Sequence, residues 1–390
     1  MSEAAVPGYD RIPFLVLFEE RAGFKDTYAG EIGRVVLKAH LLRPRGRPSK
    51  TVVVFMHPIG GGEYLPLPVA LAKQGTHVIY CNSRYQGVDY ALIMEKVALD
   101  LGACVRHARE QLGYEKVVLA GWSGGGSLSA FYQAEAERPS VIATPAGDPP
   151  DLTTAGLLPA DGLMLLAAHV SRARTLTEWM DASIIDEACP ERRDTSLDLY
   201  DPAGPVRPYS AEFLERYRAA QEARNRRITA WVRERLDALR AAGRVDEEHC
   251  FVVHGTMADP RWLDPTVDPN DRRPGWCFLG DPRVVNHSPV GLARYCSLRS
   301  WLSQWSLDDS NADSLTALRR VSVPVLVLSN SADDAATPSH ARRMFEAVGH
   351  ERRQMQEIKG ANHYYFGQPR EALAATEVVR GWLEKHDLAG

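Results

Sequence analysis

The segment at residues 121–126 carries a residue pattern suited to nucleophilic chemistry. It reads Gly-Trp-Ser-Gly-Gly-Gly with Ser123 at its centre, between the apolar run Lys116–Ala120 and a predicted helix over Ser127–Arg138. Glycines on both sides of the serine allow a strand and a helix to approach closely at a sharp turn. Such a turn pushes the serine hydroxyl into the open, so the pattern predicts a nucleophile at Ser123.

A serine hydroxyl is a weak nucleophile until a base removes its proton, and an acid must hold that base in place. Asp333 and Asp334 follow a predicted strand over Val323–Ser329, and His363 follows another over Met355–Lys359. The base and the acid that the serine needs are therefore both available downstream of it.

A second glycine-rich segment follows the predicted strand Thr51–Met56. It reads His-Pro-Ile-Gly-Gly-Gly over residues 57–62. Acyl transfer places negative charge on the former carbonyl oxygen of the substrate, and fixed backbone N–H groups stabilise that charge. Pro58 has no N–H group, so the other residues of this loop are the candidate donors.

This order of strand, Gly-x-Ser-x-Gly turn, helix, acid and histidine resembles the α/β-hydrolase family of serine hydrolases. The resemblance covers residues 50–170 and 318–390. It implies that Ser123 is the nucleophile and His363 the general base. The dehalogenase and epoxide-hydrolase branches of the family place an aspartate at the turn, so a serine there excludes both.

The resemblance also indicates which carboxylate is the acid. In similar enzymes the acid commonly lies four residues before a proline that opens the next helix, so Pro338 points to Asp334. Asp333 stays the alternative, and Ser331 stands where the family usually has glycine. His340 belongs to the helix predicted from Pro338 and is expected to face water or to cap a contact.

Residue-by-residue matching to the family assigns the oxyanion hole to the N–H groups of Gly124 and Ile59, with Gly60 as a substitute for Ile59. The base comes last in the chain order of similar enzymes, so His57 is expected to be structural. The predicted substrate-pocket residues are His57, Trp122 and Tyr364.

Short apolar runs alternate with helical segments in the first part of the chain, stop near residue 170 and return near residue 318. This alternation indicates a parallel sheet with crossover helices. With the resemblance, it predicts an α/β class protein with the α/β-hydrolase fold: a mostly parallel eight-stranded sheet, flanking helices and a mainly helical cap insertion. We divide the chain into a first core part (1–170), a cap (171–317) and a second core part (318–390) that carries the acid and the histidine.

The predicted cap should cover the carboxyl edge of the sheet, where pockets lie in such folds. Its aromatic residues can form a cap core, or two or three of them can line an apolar pocket. They are Trp179, Tyr200, Tyr209, Trp231, Trp262, Trp276, Trp301 and Trp305.

Composition excludes several classes of protein. The 390 residues are 45% hydrophobic and 25% charged, with a formal net charge of -4, which is typical of a globular protein and argues against a nucleic-acid partner. The first eleven residues lack the organisation of a secretion signal, and no apolar run is long enough to span a membrane. We therefore expect a cytoplasmic protein without a membrane partner. Its oligomeric state stays open, with a homo-oligomer as one alternative.

The six cysteines are widely spaced and predict neither a disulfide framework nor a zinc site. No cofactor and no metal are expected. The sequence therefore predicts a carboxylic-ester hydrolase of the serine-esterase type, which cleaves an ester, lactone or thioester of a small apolar or aromatic substrate through an acyl-enzyme on Ser123. A carbon–carbon hydrolase or an acyltransferase with the same residues is the alternative, and a non-catalytic binding protein of this fold is a further one.

Overall fold

An eight-stranded sheet lies at the centre of the computed structural model, which describes residues 8–20, 25, 30–289, 291 and 293–390. The strands are β1 (Tyr9–Glu19), β2 (Arg34–Pro44), β3 (Thr51–Phe55), β4 (Val78–Cys81), β5 (Lys116–Trp122), β6 (Gly162–Leu166), β7 (Cys250–Val252), β8 (Tyr295–Ser297), β9 (Val325–Asn330) and β10 (Arg353–Ile358). The helices are α1 (Pro66–Lys73), α2 (Met94–Glu110), α3 (Gly124–Glu137), α4 (Arg172–Trp179), α5 (Ala211–Ala241), α6 (Pro260–Leu263), α7 (Pro282–His287), α8 (Leu298–Ser300), α9 (Ser314–Ala317), α10 (Pro338–Ala347) and α11 (Pro369–Lys385). Within the described part of the chain, no helix is long and apolar enough to cross a membrane.

The strand order of the main sheet is β1-β2-β4-β3-β5-β6-β9-β10. β2 pairs antiparallel with β1 and with β4, and the other neighbours pair parallel. This confirms the predicted mostly parallel eight-stranded sheet. Parallel pairing brings the carboxyl ends of the strands to one edge, so the loops after β3, β5, β9 and β10 begin close together.

Helices cover both faces of the sheet, which explains why its central strands are continuous apolar runs. Helices α2, α3 and α10 pack on one face, and α1 and α11 pack on the other. Every residue of β3, β4, β6 and β9 is buried as a result. Helix α3 begins at Gly124, three residues before its predicted start, because packing against β5 and β6 outweighs the low helix propensity of glycine.

The chain between β6 and β9 leaves the sheet and forms two apolar clusters of its own. Its regular structure is helical apart from the two-stranded ribbon of β7 and β8, and long irregular segments connect the helices. The domain boundaries near residues 170 and 317 stay predictions. Residues 1–7, 21–24 and 26–29 of the predicted first core part, and residues 290 and 292 of the predicted cap, lie outside the described residues.

A buried arginine ties this inserted region to the second core part. Arg261 in α6 forms ion pairs with Asp259 and, at 2.6 Å, with Glu178 of α4. Its Nη1 atom also donates to Thr337 Oγ1 at 3.1 Å, at the N-cap position of α10. Because α4 and α10 both adjoin the carboxyl edge of the sheet, this one side chain fixes part of the inserted region above that edge.

Candidate active site

Ser123 lies in the turn between β5 and α3 with φ of 54° and ψ of -123°, a strained conformation for a residue with a side chain. A Cβ atom at Gly121 would lie 2.4 Å from the carbonyl oxygen of Gly125. A Cβ atom at Gly126 would lie 2.4 Å from the Cβ of Ala168. The glycines are therefore required by close packing on both sides of the serine, as the sequence pattern predicts.

A chain of hydrogen bonds connects Ser123, His363 and Asp333. The distance from His363 Nε2 to Ser123 Oγ is 3.1 Å, and His363 Nδ1 lies 2.8 Å from Asp333 Oδ2 and 3.0 Å from Oδ1. Relative exposures are 8% for Ser123, 2% for His363 and 0% for Asp333, so water competes little for these bonds. Trp122 Nε1 donates to the carbonyl oxygen of His363 at 3.1 Å and so holds the histidine loop against the serine turn.

The prediction of Asp334 as the acid is wrong by one residue, because the neighbouring carboxylate, Asp333, is the one that contacts His363. Asp333 Oδ1 also accepts the N–H groups of Ala335 and Ala336, both at 2.8 Å, which fix its carboxylate in the loop. Asp334 contributes its carbonyl oxygen to Trp262 Nε1 at 2.6 Å. The loop therefore separates acid and proline by one residue more than the family pattern predicts.

The charges around His363 favour its protonated form. Burial opposes a charged imidazole, but the negative charge of Asp333 and the hydrogen bond to it outweigh burial, and Asp334 adds to them, so the pKa of His363 is raised. Burial, reinforced by the charge of Asp333, raises the pKa of Asp334 to about 6. A ring that accepts a proton readily and has a fixed carboxylate behind it is suited to general-base chemistry.

The loop over residues 57–62 uses its predicted N–H donors for hydrogen bonds of its own. Gly60 N–H donates to the carbonyl oxygen of His57 at 2.9 Å, and Ile59 N–H donates to His57 Nδ1 at 3.3 Å. Both predicted loop donors are therefore engaged within the loop, and the prediction of Gly60 as a substitute donor is wrong. Gly124, the first residue of α3, keeps an N–H group that donates to no other described residue.

The structure places His57 in an environment that the sequence did not predict. Burial first, and then the positive charges of Arg172 and His363, lower the pKa of His57 to about 3, so the ring is neutral. Its Nδ1 accepts the Ile59 N–H, so the ring proton resides on Nε2. Nε2 lies 2.8 Å from the point where a Cβ of Gly124 would stand, so this second N–H lies close to Gly124.

A cavity of about 110 Å³ opens onto Ser123 and His363. The predicted pocket residues His57, Trp122 and Tyr364 line it, and Trp179 is the member of the predicted cap aromatics that joins them. Phe278 also lines the cavity and was not among the predictions. Six of the other cap aromatics pack in or against the apolar clusters of the inserted region: Tyr200, Tyr209, Trp231, Trp262, Trp301 and Trp305.

His340 is buried, which excludes the first of its two expected roles, facing water, and fits the second, capping a contact. Its Nδ1 accepts the N–H of Val170 at 3.3 Å, and its Nε2 lies 3.2 Å from Arg261 Nη1. His340 therefore belongs to the contacts that join the inserted region to α10. Among residues with described positions, no group of three or more His, Cys, Asp or Glu side chains could hold a metal ion.

The sequence model of the alpha/beta hydrolase family matches residues 53–376. The chain belongs to the alpha/beta hydrolase family. This alpha/beta hydrolase is similar in structure to the alpha/beta hydrolase GrgF from Penicillium sp. sh18, with a TM-score of 0.52 at 13% identity over 96% of this chain and 98% of the other. It is also similar to DcsB, which was solved in complex with its substrate analogue, with a TM-score of 0.50 at 13% identity over 90% of this chain and 94% of the other.

No curated protein matches the sequence. Family membership supports hydrolase activity in general. At 13% identity, the similarity to the two solved structures shows a shared fold alone. An inference about which bond is cleaved, and by which residues, must rest on the geometry of the site.

Proposed function

We propose that this alpha/beta hydrolase cleaves carboxylic esters of small substrates through an acyl-enzyme on Ser123. The observation that carries the proposal is the continuous hydrogen-bond chain from Ser123 through His363 to Asp333, with Ser123 and His363 at the cavity. A nucleophile, a base within bonding reach and a carboxylate that orients the base are the three parts that acyl transfer by serine requires.

In the first half of the proposed reaction, Ser123 Oγ attacks the carbonyl carbon of the ester and its proton passes to His363 Nε2. Asp333 stabilises the imidazolium that forms. The tetrahedral intermediate then collapses, the bond to the alcohol oxygen breaks, and His363 returns the proton to the leaving alcohol. A water molecule attacks the acyl-enzyme in the second half, with His363 again as base, and releases the carboxylic acid and Ser123.

Two donors are placed to stabilise the oxyanion. The N–H of Gly124 is unengaged at the start of α3, and the Nε2–H of His57 lies close to Gly124. A neutral imidazole can donate to an anion without adding a full charge to the site. We therefore assign the oxyanion hole to Gly124 and His57, and Ile59 supports it by setting the tautomer of His57.

The size and lining of the cavity support small substrates. Its volume of about 110 Å³ is below the roughly 300–1,000 Å³ of sites for drug-sized ligands. Trp122, Trp179, Phe278 and Tyr364 give it aromatic walls. Short acyl and alcohol groups fit such a site better than long lipid chains do.

The proposal is tested with short p-nitrophenyl esters and purified protein. Wild type should release p-nitrophenol with saturation kinetics, and a folded Ser123→Ala variant should lose at least about a hundredfold in kcat. Ser127→Ala is the matched control, because its hydroxyl donates to the Gly124 carbonyl oxygen at 3.2 Å and faces away from the reaction. Full turnover by Ser123→Ala would contradict the proposal.

A further inference from the structure

Helix α4 presents one face to the cavity above Ser123. The residues on this face are Arg172, Thr175, Leu176 and Trp179, which follow the spacing of one helical stripe. Two of the four carry polar groups, although the walls around them are largely aromatic. A buried polar group in such a wall is costly unless it has a partner, so this stripe requires an explanation.

Arg172 is held in place by a neutral side chain. Its Nε and Nη2 atoms donate to Gln304 Oε1 at 3.1 and 2.8 Å. Gln304 is itself fixed, since its Nε2 donates to the Asp89 carbonyl oxygen and to Ser300 Oγ, both at 2.7 Å. The amide orients the guanidinium but does not neutralise its charge.

The positive charge of Arg172 is poorly compensated. Its nearest carboxylate, Asp89, approaches one nitrogen at 3.5 Å, and the same carboxylate oxygen accepts the N–H of Ala293 at 2.7 Å. Arg172 is 3% exposed, and its Nη1 atom donates to no described residue. One nitrogen of a fixed, buried cation is thus unengaged in a side chain that lines the cavity.

Two residues that line the same cavity each have a polar atom with no partner among the described residues. The atoms are Thr175 Oγ1, one helical turn from Arg172, and His169 Nδ1, just before α4. Both atoms are buried. Leaving a buried polar atom unpaired is costly, and a bound group that accepts hydrogen bonds would provide the missing partner for both.

We propose that the substrates of this enzyme carry a free carboxylate, which Arg172 binds with Thr175 and His169 while the ester group lies at Ser123. The proposal rests on the proposed ester-hydrolase function and specifies its substrate class. A planar carboxylate matches the donor geometry of a guanidinium, and Thr175 and His169 would contact its oxygens.

Charge and volume favour a carboxylate over a phosphate. Burial is the main cause that lowers the pKa of His169, so its ring is neutral, and of the three side chains assigned to the anion only Arg172 carries a charge. One positive charge balances one carboxylate but not the two charges of a phosphate monoester. The small cavity leaves room for a short link between the carboxylate and the ester.

The first test compares acidic esters with neutral isosteres in wild type, by acid release in a pH-stat. Monoethyl succinate is paired with ethyl 4-methylpentanoate, and acetoxyacetate with isobutyl acetate, so that an isopropyl group replaces the carboxylate on the acyl or the alcohol side. In at least one pair, kcat/KM should be at least about tenfold higher for the acidic ester. Equal or lower values for the acidic member of both pairs would overturn the inference.

The second test removes the cation. Arg172→Met should reduce the preference for the acidic ester, measured as the ratio of kcat/KM for the two members of a pair, at least about tenfold. Arg174→Met is the matched control, because Arg174 lies on the same helix but pairs with Asp313 outside the cavity, and it should keep the wild-type preference. An unchanged preference in Arg172→Met would contradict the inference.

A binding measurement tests this inference independently of the proposed function. Ser123→Ala should bind the acidic esters through Arg172, measured by tryptophan fluorescence, even if wild type were to turn over no ester at all. Hydrolysis of neutral esters only would remove the carboxylate inference and leave the hydrolase proposal intact.

If Arg172→Met does not fold, Thr175→Val is the variant that tests the site. It should weaken the binding of acidic esters at least about threefold, and unchanged binding would count against the site.

Discussion

His363 Nδ1 contacts both carboxylate oxygens of Asp333, at 2.8 and 3.0 Å, while the adjacent carboxylate of Asp334 acts on the same ring only through its charge. Two neighbouring residues of the same type therefore have different roles. Asp333 fixes the orientation of the His363 ring and is the main cause that raises its pKa, whereas Asp334 adds to that shift through its charge alone.

Substitution should separate the two aspartates. Asp333→Asn should lower kcat at least about a hundredfold, because the amide cannot stabilise the imidazolium and favours the wrong tautomer. Asp334→Asn should lower kcat less than about fivefold, because its side chain makes no hydrogen bond to His363. Steady-state kinetics on the two folded variants check this. Equal losses would contradict the assignment of Asp333 as the orienting acid.

The pH profile of kcat/KM should rise on the acid side through the pKa of His363. The ring must be neutral to accept the serine proton, and its pKa is raised above the ordinary value of about 6.5, so the midpoint should lie above that value. In Asp333→Asn burial remains while the main opposing charge is lost, so the midpoint should move to lower pH. A midpoint that moves upward in this variant would show that another group controls the profile.

The oxyanion donor assigned to His57 predicts a graded series of variants. His57→Ala should lower kcat about 100- to 1,000-fold with little change in KM, because the lost hydrogen bond forms in the transition state. His57→Gln should recover part of that loss, since its amide can still donate. Equal activity of the two variants, or a loss confined to KM, would indicate a packing role for this ring.

The ion pairs of Arg261 predict a large effect on stability. Arg261→Met leaves the buried carboxylate of Asp259 without this partner, and removing one member of a buried pair typically costs about 3–5 kcal/mol. Arg342→Met removes an arginine, itself exposed, from its pair with Asp268 and should cost under about 1 kcal/mol. Denaturant unfolding monitored by tryptophan fluorescence provides both values. Similar losses for the two variants would show that Arg261 does not tie the inserted region to the core.

The sheet could be predicted closely from the sequence because strands buried on both faces must be apolar throughout. Thr51–Phe55 ends one residue before its predicted end, and Val325–Asn330 begins two residues after its predicted start and ends one residue after its predicted end. The glycines around Ser123 were equally informative, since the close approach of strand and helix leaves no room for a side chain there.

Three features of the site could not be predicted from the sequence. Counting back from Pro338 cannot separate two adjacent aspartates, because hydrogen bonds within the loop decide which one turns inward. The role of His57 depends on a ring tautomer set by the N–H of Ile59. Arg172 belongs to no motif and becomes significant only where the fold brings Gln304 and the cavity to it.

The nucleophile itself can be identified by covalent labelling. A fluorophosphonate probe should add once per chain to the wild type, and peptide mass spectrometry should locate the adduct on Ser123. Ser123→Ala should not be labelled, His363→Ala should react at least about a hundredfold more slowly, and Ser127→Ala should react as the wild type does. Labelling of Ser123→Ala at the wild-type rate, or an adduct on another residue of the wild type, would contradict the central claim.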